Sequence, residues 1–307
     1  MAVEARDLVR GAAHEEVPGV TVSHSEEAGV HVTVVTVESE EGARLMGKPR
    51  GRYLTLDVPA FRDRPDEVKP SLIAVLSRKL RTLFPQAVDR TVLVVGLGNR
   101  QATPDAVGPR TVERLLVTRH LQGWVDSDLS RRMRPVAAIA PGVLGTTGVE
   151  TLDIVRGLVT QIAPDLVVAI DALAARNLRR LLASVQIADT GIHPGGGVGN
   201  HRQGLTAETV GVPVVAVGVC TVVQATSIVG DALELLAQAE GAPWQEAAHR
   251  WSEAGRRRAW DAVLAPIFGT LMVTPKEVDQ LVDTMADVLA ESLNRSLQPQ
   301  LRREEWT

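Results

Sequence analysis

Two aspartates sit where short apolar runs give way to other structure. Asp105 lies in the loop after VLVVG (92–96), and Asp171 ends the run DLVVAI (165–170). Carboxylates at adjacent strand ends can come close enough to share a proton. Like charges at that range do not both ionise easily, so one pKa rises and the other falls. Such a pair supplies an acid and a base that together activate water. A blander reading stays open for each, because Asp is a preferred helix N-cap: Asp105 for a helix starting near Ala106, Asp171 for whatever helix follows its strand. His193 in GIHPGGG and His201 read more readily as loop histidines than as ligands. Cys220, inside an apolar strand, reads as a small core residue.

The glycines ahead of Asp105 raise a second chemistry. VLVVGLGNRQATPDAVGP opens like a dinucleotide loop, a β-branched run ending in Gly-x-Gly. The third glycine of that fingerprint is missing, however, and Pro104 removes an amide that a phosphate would use. The chain also lacks a G-x-x-x-x-G-K-[ST] loop, a G-x-S-x-G elbow, H-E-x-x-H and C-x-x-C. A single cysteine excludes an intrachain disulfide and a thiolate metal site, and suits a reducing compartment.

These residues need elements to position them. Four runs, TVLVVG (91–96), PVAAIA (135–140), DLVVAI (165–170) and VPVVAVGV (212–219), are apolar without alternation, as strands covered on both faces are. Helical stretches separate them around 107–121 and 149–163, with another from Ser227. The pattern predicts an α/β fold, a three-layer sandwich with a mostly parallel sheet, in which catalytic groups gather at carboxyl strand ends where the strand order reverses. Ahead of this core, 30–38 and 52–59 predict an antiparallel pair across a Gly/Pro turn. Residues 69–84 predict a helix with Pro70 in its first turn. Behind it come a glycine-rich excursion (189–211), a helical insertion (241–265) and a last helix over 275–294. One domain spanning 1–307 with these decorations is the expectation.

Composition narrows the function. Hydrophobic content of 45%, charged content of 23% and a net charge of −4 over 307 residues suit a soluble globular protein. They leave no footprint for nucleic acid or an anionic membrane. MAVEARDLVR has no apolar core of a signal peptide, and no run reaches membrane-spanning length, so a cytoplasmic protein is expected.

At this point several long motifs, TPDAVGP with VTRHL, AIAPGVLGTTGVET, PDLVVAIDALAARN, VQIADTGIHPGGGVGN and GTLMVTPKEVDQLV, together resemble the germination protease (spore protease) family of endospore-forming Firmicutes. The likeness runs in order from about Ala2 to near Leu297. The resemblance implies an endopeptidase that degrades small acid-soluble spore proteins during germination, works in the spore core, needs no cofactor or metal, and forms a homotetramer. It assigns the catalytic aspartates to Asp105 and Asp171; Asn99 and, in a glycine excursion expected to border the cleft, His193 are the supporting candidates. It implies the α/β/α fold of the hydrogenase maturation endopeptidases, which also carry a GxGN loop and a strand-end aspartate. GLGN then reads as a tight turn that positions Asp105, with amides that could face a developing oxyanion.

The family matures by removing a short propeptide before a site close to Ala-Val-Glu-Ala. This sequence reads MAVEA at its start, so the chain as written is expected to be the active form. It departs from the family at Cys220, where proline is usual, at Gln224, where aspartate is usual, and in a longer segment from Trp244 to Trp260, expected to bear on assembly. The alternative is a metal-binding maturation peptidase with Asp105, Asp171 and a histidine as ligands. A nucleotide-binding or scaffolding subunit of the same fold is the third reading.

Overall fold

A computed structural model describes residues 17–193, 203–238, 253–269 and 271–306. The MAVEA start, His201, residues 194–202 of the glycine excursion and residues 241–252 of the insertion, Trp244 included, lie outside the described residues. Nine strands join in one sheet: β1 (Val20–Glu27), β2 (Val30–Val37), β3 (Gly51–Asp57), β4 (Val92–Gly96), β5 (Val136–Ile139), β6 (Leu166–Ala175), β7 (Ser184–Ala188), β8 (Val214–Gln224) and β9 (Met272–Val273). The described helices are α1 (Glu40–Met46), α2 (Pro65–Arg81), α3 (Val107–Val112), α4 (Ser127–Arg132), α5 (Leu144–Thr147), α6 (Thr151–Ile162), α7 (Ala207–Val210), α8 (Ala225–Gln238), α9 (Glu253–Phe268) and α10 (Val278–Leu297).

The four apolar runs become the parallel strands β8, β6, β4 and β5, side by side in that order. Every residue of β4 is buried, because helices cover both faces. On one face, Leu72, Val75, Leu76 and Leu80 of α2 pack with Leu281, Val282, Met285 and Leu289 of α10 over Val92, Val94, Val168 and Ile170. Each such side chain contributes about 1.5–3 kcal/mol relative to exposure. On the other face, Leu152 and Val155 of α6 cover Leu93, Val95, Val167 and Ala169. The α/β class and the helices on both faces are as the sequence predicts.

The antiparallel pair is also present, β2 on β3, but the structure adds to it. A polar strand, β1, precedes β2 across a two-residue turn. Both turn residues have positive φ, Ala28 (51°) and Gly29 (78°), the geometry that matches strand twist. β3 then pairs with β7, which pairs with β8, so this wing extends the central sheet edge to edge. The segment between β2 and β3, expected as a turn, holds the helix α1. The Ser39 hydroxyl caps it by accepting from the Gly42 amide, and Gly47 ends it at φ 61°, as helix caps commonly do. α2 begins at Pro65, which takes the first helical position, so Pro70 falls in the second turn and not in the first.

Buried cations, Arg134 and Lys48 among them, sit within these layers. Arg134, 1% exposed, donates to carbonyls of Leu297 (3.0 Å), Arg90 (3.2 Å) and Pro85 (2.7 Å), tying the start of β5 to the ends of α2 and α10. Burial holds its pKa below the ordinary arginine value. Lys48, 7% exposed, lies over the Tyr53 ring, 4.5 Å from its centroid, within cation–π range. Burial first, and the Arg176 charge second, push its pKa down to about 8.

Two outcomes follow from this packing. A Cβ on Gly108 would stand 2.3 Å from the Leu97 carbonyl oxygen and 2.8 Å from that of Ile170, both fixed backbone, whereas one on Gly157 in α6 meets nothing within 4 Å. Gly108→Ala is expected to destabilise by at least about 1–3 kcal/mol, and Gly157→Ala to stabilise by about 0.4–1 kcal/mol, both read by urea unfolding. For Lys48 the folded chain releases its proton near pH 8, while the unfolded chain keeps it until about 10.5. Wild-type stability therefore climbs through that window, since the unfolded state binds more protons there. Lys48→Met is expected to be more stable than wild type at pH 7, by a margin that shrinks between pH 8 and 10.5; a margin constant across that range would count against the account.

Candidate active site

β4 and β6 are neighbours whose connections diverge: β4 leads out to β5 on one side, and β6 leads on to β7 beyond β8 on the other. In open parallel sheets this is where a crevice opens at the carboxyl ends. The chain leaving β4 is pinned there. The Leu97 amide donates to the Ile170 carbonyl (2.8 Å), one residue before Asp171. Gly98 then takes φ 113°, and a Cβ there would sit 2.0 Å from the Asp105 carbonyl oxygen. The backbone can double back in this way only at glycine.

The loop closes on the Asp105 side chain. Its Oδ2 accepts from the Asn99 amide at 2.6 Å, and the Asn99 Oδ1 accepts from the Gln101 amide at 3.0 Å. A 3₁₀ turn, Thr103–Asp105, follows with Pro104 at a position that needs no donor. The Thr103 hydroxyl donates to Asp279 Oδ1 of α10 at 2.7 Å, fastening the turn from outside. Farther along α10, Asp283 and Asp287 at successive turns hold Arg114 (2.5 and 2.7 Å), and Asp287 also takes Lys69 at 3.1 Å. Ala106 is the cap residue of α3 and makes no side-chain cap, so capping of that helix does not explain Asp105.

Asp171 is not the end of its strand. β6 continues to Ala175, and no helix follows directly for Asp171 to cap. What ends is the ladder to β4, whose last pair is Gly96 with Ile170, so Asp171 is the first residue beyond it. Strand alternation turns its side chain to the face opposite Ile170. It is 5% exposed, its Oδ1 accepts from the Ala172 amide (2.9 Å), and its partner on β8 is Gly218, which has no side chain. The Thr103–Asp105 turn packs against both β6 and β8. The structure thus brings Asn99 to Asp105 and sets their turn against the strand of Asp171.

His193 is placed differently. β7 leaves the sheet at Ala188, opposite Ala216, on the side of Gly218 toward the start of β8. The chain then bridges Ile192 to Leu205, and the exposed His193 ring lies beside Gly204. Among the described residues His193 has no hydrogen bond to either aspartate. Nor do the described residues hold a group of three His, Cys, Asp or Glu side chains fit for a metal ion. Three amides of the GLGN loop region, those of Leu97, Asn99 and Gln101, already have partners within the chain, which leaves them unable to cradle a phosphate or an oxyanion.

Other residues of the site were not singled out from sequence. Gly108 lets α3 lie on the Leu97 and Ile170 carbonyls; in DAVGP it resembles a helix breaker. The spacing of Asp279, Asp283 and Asp287 on one helical face is readable, but its partners are not. Cys220 is fully buried as expected, and the Gln186 amide donates to its Sγ at 3.6 Å. Gln224 pairs with Met272 at the far end of β8, well past Gly218.

A profile of the germination protease family matches residues 2–254 and 248–307. The germination protease of Clostridium perfringens is 42% identical over 312 residues, covering 99% of this chain and 96% of that protein. That of Caldanaerobacter subterraneus subsp. tengcongensis is 40% identical, covering 99% and 95%, and that of Priestia megaterium 38%, covering 92% and 88%. Among solved structures, a [NiFe] hydrogenase maturation protease, HycI from Thermococcus kodakarensis, aligns at 17% identity with a TM-score of 0.33, over 70% of this chain and 98% of that one. With its profile matched nearly end to end and relatives this similar over the whole length, the chain belongs to the germination protease family.

Proposed function

We propose that this chain is an endopeptidase that begins the degradation of small acid-soluble spore proteins, with Asp105 and Asp171 as its catalytic pair. The observation that carries the reading is the packing of the Thr103–Asp105 turn against β8 and against β6, the strand that bears Asp171, at the strand-order switch. One carboxylate takes a proton from water as the water oxygen adds to the peptide carbonyl carbon. The other, protonated, gives its proton to the carbonyl oxygen. When the C–N bond breaks, the proton held by the base passes to the leaving amine, and the products are a carboxylic acid and an amine. Asn99 is the positioning residue, since its amide holds the Asp105 carboxylate and its own side chain fixes the turn. His193 has no part in this scheme.

The family and the substrate class support a setting in the spore core and a homotetrameric assembly. No helix of the described residues is long and apolar enough to cross a membrane. The metal-dependent alternative needs a third ligand beside the two aspartates, which the described residues do not supply.

Asp105→Asn and Asp171→Asn are each expected to lower kcat by roughly a thousandfold or more while the melting temperature stays within a few degrees of wild type. Digestion of a purified small acid-soluble spore protein, with peptide mapping, reads the first, and calorimetry the second. Near-normal cleavage by either variant would remove that residue from the pair. Activity is expected to be unchanged in chelator; loss on chelation with recovery on adding back a divalent metal would favour the metal-binding reading.

A further inference from the structure

One edge of the sheet is left open in a particular way. The sheet ends at β5 on one side and at β1 on the other. Native edges are usually blunted by charge, proline or covering chain, because unpaired backbone invites another strand. β1 is blunted: His24, Glu26 and Glu27 lie along it. β5 carries no such charge: Pro135 and Pro141 flank it, and no charged residue occurs anywhere from 136 to 149.

Hydrogen bonding gives the phase of β5. The Val92 amide donates to the Pro135 carbonyl (2.9 Å), so Pro135, Ala137 and Ile139 turn their backbone groups toward β4. Val136 and Ala138 therefore turn theirs outward. At Val136 both are taken: Thr118 donates its amide to the Val136 carbonyl (3.0 Å), and its hydroxyl accepts from the Val136 amide (3.0 Å). At Ala138, among the described residues, the outward N–H and C=O have no hydrogen-bond partner. Ala140 follows in the same phase and is exposed. The edge is thus closed at its amino half and open at its carboxyl half, the half that adjoins the loop bearing Asp105.

We infer that this open half-edge is where the extended polypeptide substrate docks, adding a short strand outside β5 at Ala138–Ala140. The inference rests on the peptidase reading above and deepens it. The occupant follows from the observations: a peptidase takes a polypeptide, and the opening faces only the end of the sheet where the two aspartates lie. An added strand would run about 10 Å from β4 at ordinary strand spacing, so a few further extended residues reach the crevice. Past β5 the uncharged segment 141–149, which includes α5, exposes Leu144 (38%) and Val149 (44%), apolar surface for side chains of the same segment. Recognition by backbone and apolar contact suits a substrate segment that arrives unfolded.

Two measurements decide it. Proline is tolerated on an edge strand where the N–H faces away from the ladder, so Ala138→Pro is expected to fold and to lose the outward donor. KM for an unfolded polypeptide substrate should rise about tenfold, with kcat within twofold of wild type. The second measurement uses the wild-type protein and a series of substrate peptides, each N-methylated at one residue away from the scissile bond. On one side of that bond kcat/KM should fall at every second residue, the period of a paired strand. An unchanged KM in a folded Ala138→Pro, or N-methyl effects without that alternation, would overturn the docking site even if the aspartate variants are inactive. If the wild-type chain cleaves no polypeptide at all, the peptidase reading fails separately, and fluorescence anisotropy of a labelled unfolded polypeptide decides the edge. Equal binding to wild type and Ala138→Pro would then reject it, and weaker binding to the variant would support it.

Discussion

The site depends on how closely one short helix approaches two strand ends. Gly96 and Gly108 allow the contact: a Cβ on Gly96 would meet the Gly108 carbonyl oxygen at 2.4 Å, and one on Gly108 would meet the Leu97 oxygen at 2.3 Å. With backbone against backbone, α3 and the turn before it sit directly on the carboxyl ends of β4 and β6. A larger side chain at either glycine would lift α3 away from the ends of β4 and β6. The proposed chemistry belongs to aspartates, but the close approach of α3 to the strand ends is allowed by residues that have no side chain.

Around that contact the remaining parts take complementary roles. The parallel centre supplies rigid strand ends, and burial on both faces leaves β4 and β6 little freedom to shift. α10 closes the outside, with Asp279 on the Thr103 hydroxyl and Asp283 and Asp287 on arginines that follow the turn. Exposed ion pairs of this kind are individually weak, so their value here is geometric. The antiparallel wing adds no catalytic candidate; it covers the far side of β8 and ends at the charged edge strand β1, opposite the uncharged edge β5.

The core was legible in sequence because its strands are covered on both sides, and continuous apolar runs such as VLVVG and LVVAI announce that directly. Asp105 and Asp171 stand out as candidates because each follows such a run. What escaped was structure whose signal is polar or local. β1 reads VTVSHSEE, half of it facing solvent, and its turn is Ala-Gly in place of a stronger Asn-Gly signal. β7 is only five residues long and is held by partners distant in sequence. The continuation of β6 past Asp171 was hidden because ALAA favours helix by propensity, while pairing with β8 holds it extended. His193 stands out beside its glycines, but β7 leaves the sheet opposite Ala216, and among the described residues His193 has no hydrogen bond to either aspartate.

The hydrogen bond from Thr103 to Asp279 joins residues 176 positions apart. Contacts so distant in sequence form late, after most of the loop-closure entropy has been overcome. While the chain is being synthesised, the turn that carries Asp105 emerges long before the helix that fastens it. A half-made molecule therefore holds both aspartates without the clamp that orients one of them. The order of elements along the chain withholds that clamp from Thr103 until the segment carrying Asp279 has been made.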